Sequence, residues 1–531
     1  MVPGHFEIIP PRGKDVLLVG VYAKGSPVSN RTEERLDRGR TGRSDRRRWL
    51  TLAVLGVSLL IVGLDTTVLN VALPTLSIEL RASTSDLQWI VDVYALMAAG
   101  LMLFCGSLAD RLGRKRVFLA GIVLFTGASV VAAYAGSVAT LMVARGAMGV
   151  GEALIMPSTL AIIGNVFGDP VERAKAIGIW SAAVGLGIAV GPLVGGWLLG
   201  RFWWGSVFLI NLPIGVLGLL AAAAVIPRSR AVGPRRLDPL GVLLSVTGPA
   251  TLVWAIIEGP SRGWGSPAVV GVGAIAVVLT VAFVAWERRS GHPMLPLGIF
   301  RHRHLAVGDL LILLGAFALI GTLFVLVQYL QFVLGYPARE TGLRLAPTAL
   351  VTLVAGPLAG VLGQRIGGRW VSAAGMALTL SSLAILGTTS PGDGYGRALF
   401  AMLLLGGGAG FIITATSDAI VGSLPEADLG VGSATNSAAI QLGAATGVAV
   451  MGSLLSDTYG RHLPAHSPAS VKASPAAALH VPGLAPTVRE AFVAGMHPAM
   501  LTGVGITAVG TVMALLLFPR RSAGRSVGDN R

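Results

Sequence analysis

The sequence contains fourteen runs of about 20 or more mainly apolar residues, separated by polar connectors. A helix needs about 20 such residues to cross the hydrocarbon core of a bilayer. The chain is 53% hydrophobic and 13% charged, whereas soluble proteins carry about 25% charged residues. These features predict an all-α, polytopic membrane protein. The predicted spans lie near residues 49–72, 88–108, 116–136, 139–165, 174–200, 206–226, 239–258, 268–286, 306–334, 342–363, 370–389, 397–422, 430–455 and 497–518.

The basic residues predict how the chain is oriented. Most of the 41 lysines and arginines lie in the two tails and in the connectors on the same side as the tails. Cytoplasmic loops are enriched in these residues, so we expect a plasma (inner) membrane protein with both termini in the cytoplasm. The net charge of +15 is explained by this topology, and no nucleic-acid partner is expected. The one cysteine, Cys105, excludes an intramolecular disulfide and a cysteine metal cluster.

Two distant segments match each other in sequence, namely GSLADRLGRKRVFLAG (106–121) and GVLGQRIGGRWVSAAG (360–375). Each falls between the second and third span of one half of the chain, which predicts parallel six-helix repeats, a transporter architecture. The longest exterior connector, about 456–496, is expected to be irregular, as a lid or as a tolerated insertion. The predicted organisation is a disordered basic cytoplasmic tail (1–47), an N-terminal six-helix bundle (48–227), an inserted helix pair (237–286), a C-terminal six-helix bundle (306–519) and a cytoplasmic tail (520–531).

A short charged connector separates the second and third predicted spans. It contains Gly106, Asp110, Arg111, Gly113 and Arg114. Charges at a helix junction can bond to neighbouring helix ends in one conformation and lose those partners in another. We therefore expect a conformational latch. The alternative is anchoring of the topology by cations alone, but this would not require the aspartate or the glycines.

The fifth predicted span combines closely spaced glycines with an internal proline. The segment GLGIAVGPLVGGWLLG includes Gly187, Gly191, Pro192, Gly195 and Gly196. Small residues at such spacing let helix backbones approach closely, and a proline removes one backbone hydrogen bond. The pattern predicts a tightly packed, bent helix.

Several charged residues lie within the predicted spans. Placing an ionisable group at the bilayer centre costs about 2.5–3.5 kcal/mol on insertion scales, so each is a candidate functional residue. Asp65 lies deep in the first span, Arg145 lies early in the fourth, and Glu152 falls on the same helical face as Arg145. We expect these three to couple protons and substrate, although a structural ion pair is the alternative. Asp92 lies near the exterior end of the second span, and Asp309 lies at the start of the ninth.

These segments together resemble the major facilitator superfamily, in particular its fourteen-helix drug:proton antiporters of the QacA/EmrB branch. The connector fits the loop signature G-x-L-x-D-R-x-G-R-K, and 185–200 fits the fifth-helix antiporter motif. LDTTVLNVALP (64–74) and ARGAMGVGEALIMPSTLAII (144–163) resemble the motifs of the first and fourth helices. The resemblance implies two six-helix bundles with two inserted helices. It also implies that Asp65 is the first-helix acid and that Glu152 replaces a small residue.

The resemblance implies a multidrug efflux transporter that exports drugs or other lipophilic or cationic small molecules in exchange for protons. The thirteenth span has Gln441 and no carboxylate where similar exporters of dications carry acids, so recognition of dications is not expected. The alternatives are a dedicated exporter of one antibiotic or metabolite and, from another class, a channel or a non-transporting receptor. No phosphate-binding loop, metal site or hydrolytic cluster is apparent, so we expect no cofactor and no enzymatic activity, and a monomer whose partners are its substrate, protons and the bilayer.

Overall fold

The computed structural model describes residues 28–229, 238–423 and 429–518. Its contacts divide the chain into one unit over Met1–Trp49 and a second over Leu50–Arg531. The first unit holds the beginning of the first long helix, whereas the second holds the membrane-spanning bundle and every contact discussed below.

Within the described residues, fourteen helices are long and apolar enough to cross a membrane, which confirms the predicted fold class. Helices are favoured in a bilayer because their backbone N–H and C=O groups bond to each other and need no water. The helix over Arg303–Gln328 continues through a π-helical turn, Tyr329–Val333. In chain order the helices are α1 (Val28–Glu79), α2 (Thr84–Leu112), α3 (Arg114–Ala133), α4 (Val138–Val166), α5 (Pro170–Leu199), α6 (Asn211–Val225), α7 (Pro239–Arg262), α8 (Pro267–Arg289), α9 (Arg303–Gln328), α10 (Ala338–Ile366), α11 (Gly368–Leu386), α12 (Tyr395–Ser423), α13 (Leu429–His462) and α14 (Ala485–Leu517).

Helices α1–α6 and α9–α14 form two structural repeats. Gly113 joins α2 to α3 with φ +104°, and Gly367 joins α10 to α11 with φ +92°, a conformation that glycine adopts at little cost. A Cβ at Gly121 would lie 3.0 Å from the carbonyl oxygen of Gly151 on α4, and a Cβ at Gly375 would lie 3.0 Å from the equivalent oxygen on α12. The two matching sequence segments therefore occupy equivalent junctions of the two repeats.

The two repeats meet at the end of the molecule where α1 passes into α2, called here the α1–α2 end. Gln88 at the start of α2 donates hydrogen bonds to the carbonyl oxygens of Val448 (3.1 Å) and Ala449 (2.9 Å) on α13. On the other side of the bundle, a Cβ at Gly196 on α5 would lie 3.1 Å from Cα of Gly342 on α10. The helix pairs α2–α13 and α5–α10 thus form two seams between the repeats.

The connector between α13 and α14 differs from the prediction. Helix α13 continues to His462, two short helices follow at Ala469–Ala473 and Pro475–Leu479, and α14 begins at Ala485. The prediction of an irregular segment over 456–496 is therefore wrong. Alanine is the strongest helix former, and the short helices bury apolar side chains against the bundle.

The predicted tail over 1–47 also differs from the structure, because α1 begins at Val28. Arginine and glutamate, which are frequent in this segment, are good helix formers. The predictions for residues 1–27 and 520–531 lie outside the described part of the chain.

The close approach of α5 and α10 predicts the effect of adding one methyl group. In Gly196→Ala, the new Cβ would lie 2.8 Å from the backbone oxygen of Ala338, so the helices must separate. Overpacking costs about 1–3 kcal/mol, and we expect a lower midpoint of thermal unfolding in detergent. The matched control is Gly185→Ala on the same helix, where a Cβ meets no atom within 4 Å. Equal midpoints for the two variants would contradict the close approach of α5 and α10.

Candidate functional site

A buried ion pair joins α1 to α4. Nη1 of Arg145 lies 2.5 Å from Oδ2 of Asp65, and the two side chains are 2% and 0% exposed. A charge removed from water is tolerated when it is paired and hydrogen-bonded. The structure thus brings together two residues that the sequence identified separately, 80 positions apart.

Three further helices complete the hydrogen bonding of this pair. Asn211 on α6 donates through Nδ2 to Oδ1 of Asp65 (3.3 Å) and to the hydroxyl of Ser129 on α3 (3.0 Å). Nε of Arg145 donates to the carbonyl oxygen of Ile90 on α2 (3.2 Å). Sequence reasoning missed Asn211, although an amide within an apolar run was a usable signal. The ion pair therefore holds α1, α2, α4 and α6 in one arrangement.

Two more side chains extend the network from the ion pair toward the other repeat. The ring of Tyr94 on α2 lies below the guanidinium of Arg145, with Cζ 4.1 Å from the ring centroid, a cation–π geometry. The Tyr94 hydroxyl is buried and has no hydrogen-bond partner among the described residues. Oε1 of Glu152 on α4 accepts a hydrogen bond of 2.7 Å from Nε2 of Gln441 on α13. The network thus crosses from the first repeat to the second.

The charge balance of this network is uneven. Asp65 and Arg145 neutralise each other, whereas Glu152 has a neutral amide as its direct partner and leaves Oε2 without a hydrogen bond. An unpaired ionised carboxylate is unfavourable in a buried site, so a proton or a cationic ligand would stabilise Glu152. Among the described residues, no group of three or more His, Cys, Asp or Glu side chains could hold a metal ion.

The charged connector contacts the ends of neighbouring helices of its own repeat. Arg114 pairs with Asp110 at 3.1 Å and donates through Nη1 to the carbonyl oxygen of Ala161 near the end of α4 (2.9 Å). Lys115 donates through Nζ to the carbonyl oxygen of Ile226 (2.8 Å), just beyond α6. Cations are favourable at helix C-termini, where carbonyl groups lack partners.

The other members of the connector have separate positions. Gly113 supplies the positive φ at the junction, and a Cβ at Gly106 would lie 3.4 Å from Cβ of Pro157 on α4. The side chain of Arg111 is exposed. The geometry fits a junction that is held by Asp110 and Arg114, and a latch that forms and breaks between conformations stays a prediction.

The glycines of the fifth-helix motif face two different helices. Gly187, Gly191 and Gly195 lie against the backbone of α1, and Gly196 lies against α10. Pro192 lacks the N–H that would bond to the carbonyl oxygen of Ile188. The hydroxyl of Thr67 on α1 donates to that oxygen at 2.9 Å, so α1 satisfies the group that the proline leaves free. The motif therefore packs α5 within its own repeat and against the other one.

Two six-helix repeats around a buried charged network, with an inserted helix pair, define a secondary transporter of the parallel-repeat class. Residues 55–448 match the Major Facilitator Superfamily, and the chain belongs to this family. It is 34% identical over 499 residues to the tetracenomycin C resistance and export protein of Streptomyces glaucescens, with 90% of this chain and 92% of that protein covered. It is 36% identical over 419 residues to the multidrug efflux pump LfrA of Mycolicibacterium smegmatis, with coverages of 79% and 83%.

The fold is also found among solved structures. A bacterial homolog of the human lysosomal transporter Spinster, in an inward-facing and unoccupied conformation, matches with a TM-score of 0.62 at 19% identity. The match covers 89% of this chain and 97% of that chain. This likeness shows that the two proteins share a fold.

The buried ion pair predicts that substitution of Arg145 destabilises the protein far more than substitution of an exposed, paired arginine. Arg145→Met leaves Asp65 buried without its cation, and breaking a buried pair from one side costs about 3–5 kcal/mol. We expect a fall of that size in the free energy of unfolding in detergent, and partial recovery when Asp65→Asn is added. The control is Arg262→Met, which breaks a pair with Glu258 in which the arginine is 53% exposed. This should cost about 1 kcal/mol or less, and equal losses from the two arginine variants would contradict the account.

Proposed function

We propose that this protein is a proton-coupled antiporter that exports drugs or other lipophilic small molecules across the plasma membrane. The observation that carries the proposal is the buried network of Asp65, Arg145 and Glu152, because it is bonded to Gln441 of the other repeat. A protonation change there alters a contact between the repeats. The similarity to an antibiotic export protein and to a multidrug efflux pump supports the direction and the substrate class.

The proposed orientation places both termini in the cytoplasm, in keeping with the basic tails and connectors. The α1–α2 end then faces the exterior. Because the seams α2–α13 and α5–α10 are in contact at that end, the conformation is closed to the exterior. We assign it to the inward-facing state of the proposed cycle. The junction held by Asp110 and Arg114 lies on the cytoplasmic side, where it would act as the latch between conformations.

The proposed cycle uses the charge state of the network. With Asp65 and Glu152 deprotonated, the inward-facing form binds substrate, and the repeats then reorient. Protons from the exterior neutralise the carboxyl groups, weaken the attraction of Asp65 for Arg145 and promote substrate release. The protonated form returns to face the cytoplasm and loses its protons there. A ligand that binds the two states differently shifts their populations, and the proton is such a ligand here.

This mechanism is consistent with either a broad or a narrow range of exported substrates. One relative bears the name of a single antibiotic, and another bears the name of a multidrug pump. We favour the broader exporter, with a dedicated exporter of one antibiotic or metabolite as the alternative. Resistance profiling with a panel that includes tetracenomycin C and lipophilic cations separates them. The proposal further includes a monomer that uses the proton gradient, requires no cofactor and catalyses no bond-making reaction.

The central test replaces the first-helix acid. In Asp65→Asn the amide keeps the shape of the side chain but cannot exchange a proton. In proteoliposomes with a pH difference, we expect the parent to release protons when an exported compound such as tetraphenylphosphonium is added. The variant should lose most of this substrate-induced proton flux while still binding the compound.

The matched control is Asp393→Asn, which changes a partly exposed carboxylate next to the start of α12 and should leave the proton flux unchanged. If Asp65→Asn couples export to the pH difference as well as the parent does, Asp65 is not the carrier. Movement of the compound only down its own gradient, in both proteins, would favour a channel.

A further inference from the structure

Asp92 on α2 is a buried carboxyl group outside the network described above. It is fully buried, and neither of its oxygens has a hydrogen-bond partner within the described structure. Asp65 and Glu152 differ from it, because each accepts a hydrogen bond. Asp86, the other acid near the start of α2, accepts a hydrogen bond from the backbone N–H of Ser83 at 2.9 Å and is part of a capping box. Asp92 therefore has no structural partner that would explain its position.

The neighbours of Asp92 place it in the seam between the two repeats. One turn before it, Gln88 donates to carbonyl oxygens of α13. One turn after it, Ala95 and Leu96 pack in a cluster with side chains of α7 and α13. Residues about four apart share one face of a helix, so Asp92 lies where α2, α7 and α13 meet. The α7 and α13 members of that cluster are Val253, Ile257, Ala445 and Ala449.

Within the described structure, neither a hydrogen bond nor an ion pair stabilises an anion at Asp92. On α7, Glu258 and Arg262 are 2.8 Å apart and pair with each other. On α4, Arg145 and Glu152 belong to the central network. The part of α13 in the seam has no ionisable residue. An unpaired ionised carboxylate costs several kcal/mol in a protein interior, so the closed seam requires a neutral Asp92.

We propose that Asp92 is a second proton-binding site, one whose occupancy controls closure of the seam between α2 and α13. When the seam opens at the exterior end, water reaches the carboxyl group and it releases a proton to that side. When the seam closes, the carboxylate takes up one proton from the same side. External acid therefore favours the closed, inward-facing form. The inference rests on the proposed function, because it assumes that the repeats separate at this end.

The test measures the seam directly. Glu79 at the end of α1 and Arg461 on α13 are exposed at this end of opposite repeats. After Cys105→Ala removes the chain's one cysteine, both positions are changed to cysteine and spin-labelled. Electron paramagnetic resonance then gives the distance between the labels in nanodiscs across a pH series. One proton taken up on closure changes the ratio of closed to open molecules by up to about tenfold per pH unit.

The labelled parent should shift toward the short distance as the pH falls. Asp92→Asn should show the short distance at every pH, because an amide closely resembles a neutral carboxyl group in shape and cannot ionise. Asp92→Glu should keep the pH response and serves as a second variant. The control Asp393→Asn changes a partly exposed carboxyl group at the same end and should respond as the parent does.

Two results would overturn the inference. One is a pH response of Asp92→Asn equal to that of the labelled parent, and the other is a parent whose distances do not change with pH. Asp65→Asn separates this inference from the proposed function. If that variant loses proton-coupled export but keeps the pH-dependent closure, the two sites are distinct. If it loses the closure as well, the response belongs to the central network and the inference about Asp92 fails.

Discussion

The ion pair between Asp65 and Arg145 is the contact on which the first repeat depends. Both groups are fully enclosed by apolar helices, where a charge without a partner is costly. The pair therefore fixes α1 against α4, and its hydrogen bonds from Asn211 and to Ile90 add α6 and α2. The pairing of these two buried charges organises the first repeat. A change in the charge of Asp65 would therefore alter the contacts that hold α1, α2, α4 and α6 together.

The contacts between the repeats have a different character. In the α5–α10 seam, the backbones of two glycines approach closely. In the α2–α13 seam, the amide of Gln88 bonds to two backbone oxygens beside a cluster of apolar side chains. Such neutral contacts are individually worth about 1 kcal/mol, far less than a buried ion pair is worth to its neighbours. The first repeat is thus held by a buried ion pair, whereas the seams between the repeats are held by neutral contacts. The hydrogen bond from Gln441 to Glu152 connects the seam to the charged network, because Gln441 lies on the seam helix α13.

Features that depend on local sequence were predictable. Apolar runs located the spans, and glycines with matching neighbours located the equivalent junctions at Gly113 and Gly367. The cost of charge in a bilayer pointed to Asp65, Arg145 and Glu152 as residues that need partners. The partners themselves were not predictable, because they depend on how each helix is rotated against the others.

The same limit explains the specific errors and omissions. Asn211 and Tyr94 join the network through packing that no spacing along the chain encodes. The α13–α14 connector looked irregular because of its prolines, yet Ser474 bonds to Ser77 of the other repeat at 2.9 Å and begins a short helix.

The claim that proton exchange drives export is tested most directly by a static-head measurement in proteoliposomes with the membrane potential clamped at zero. The concentration ratio at which net flux of an exported compound stops should change about tenfold per pH unit for each proton exchanged; flux that stops at equal concentrations, whatever the pH difference, would contradict the account.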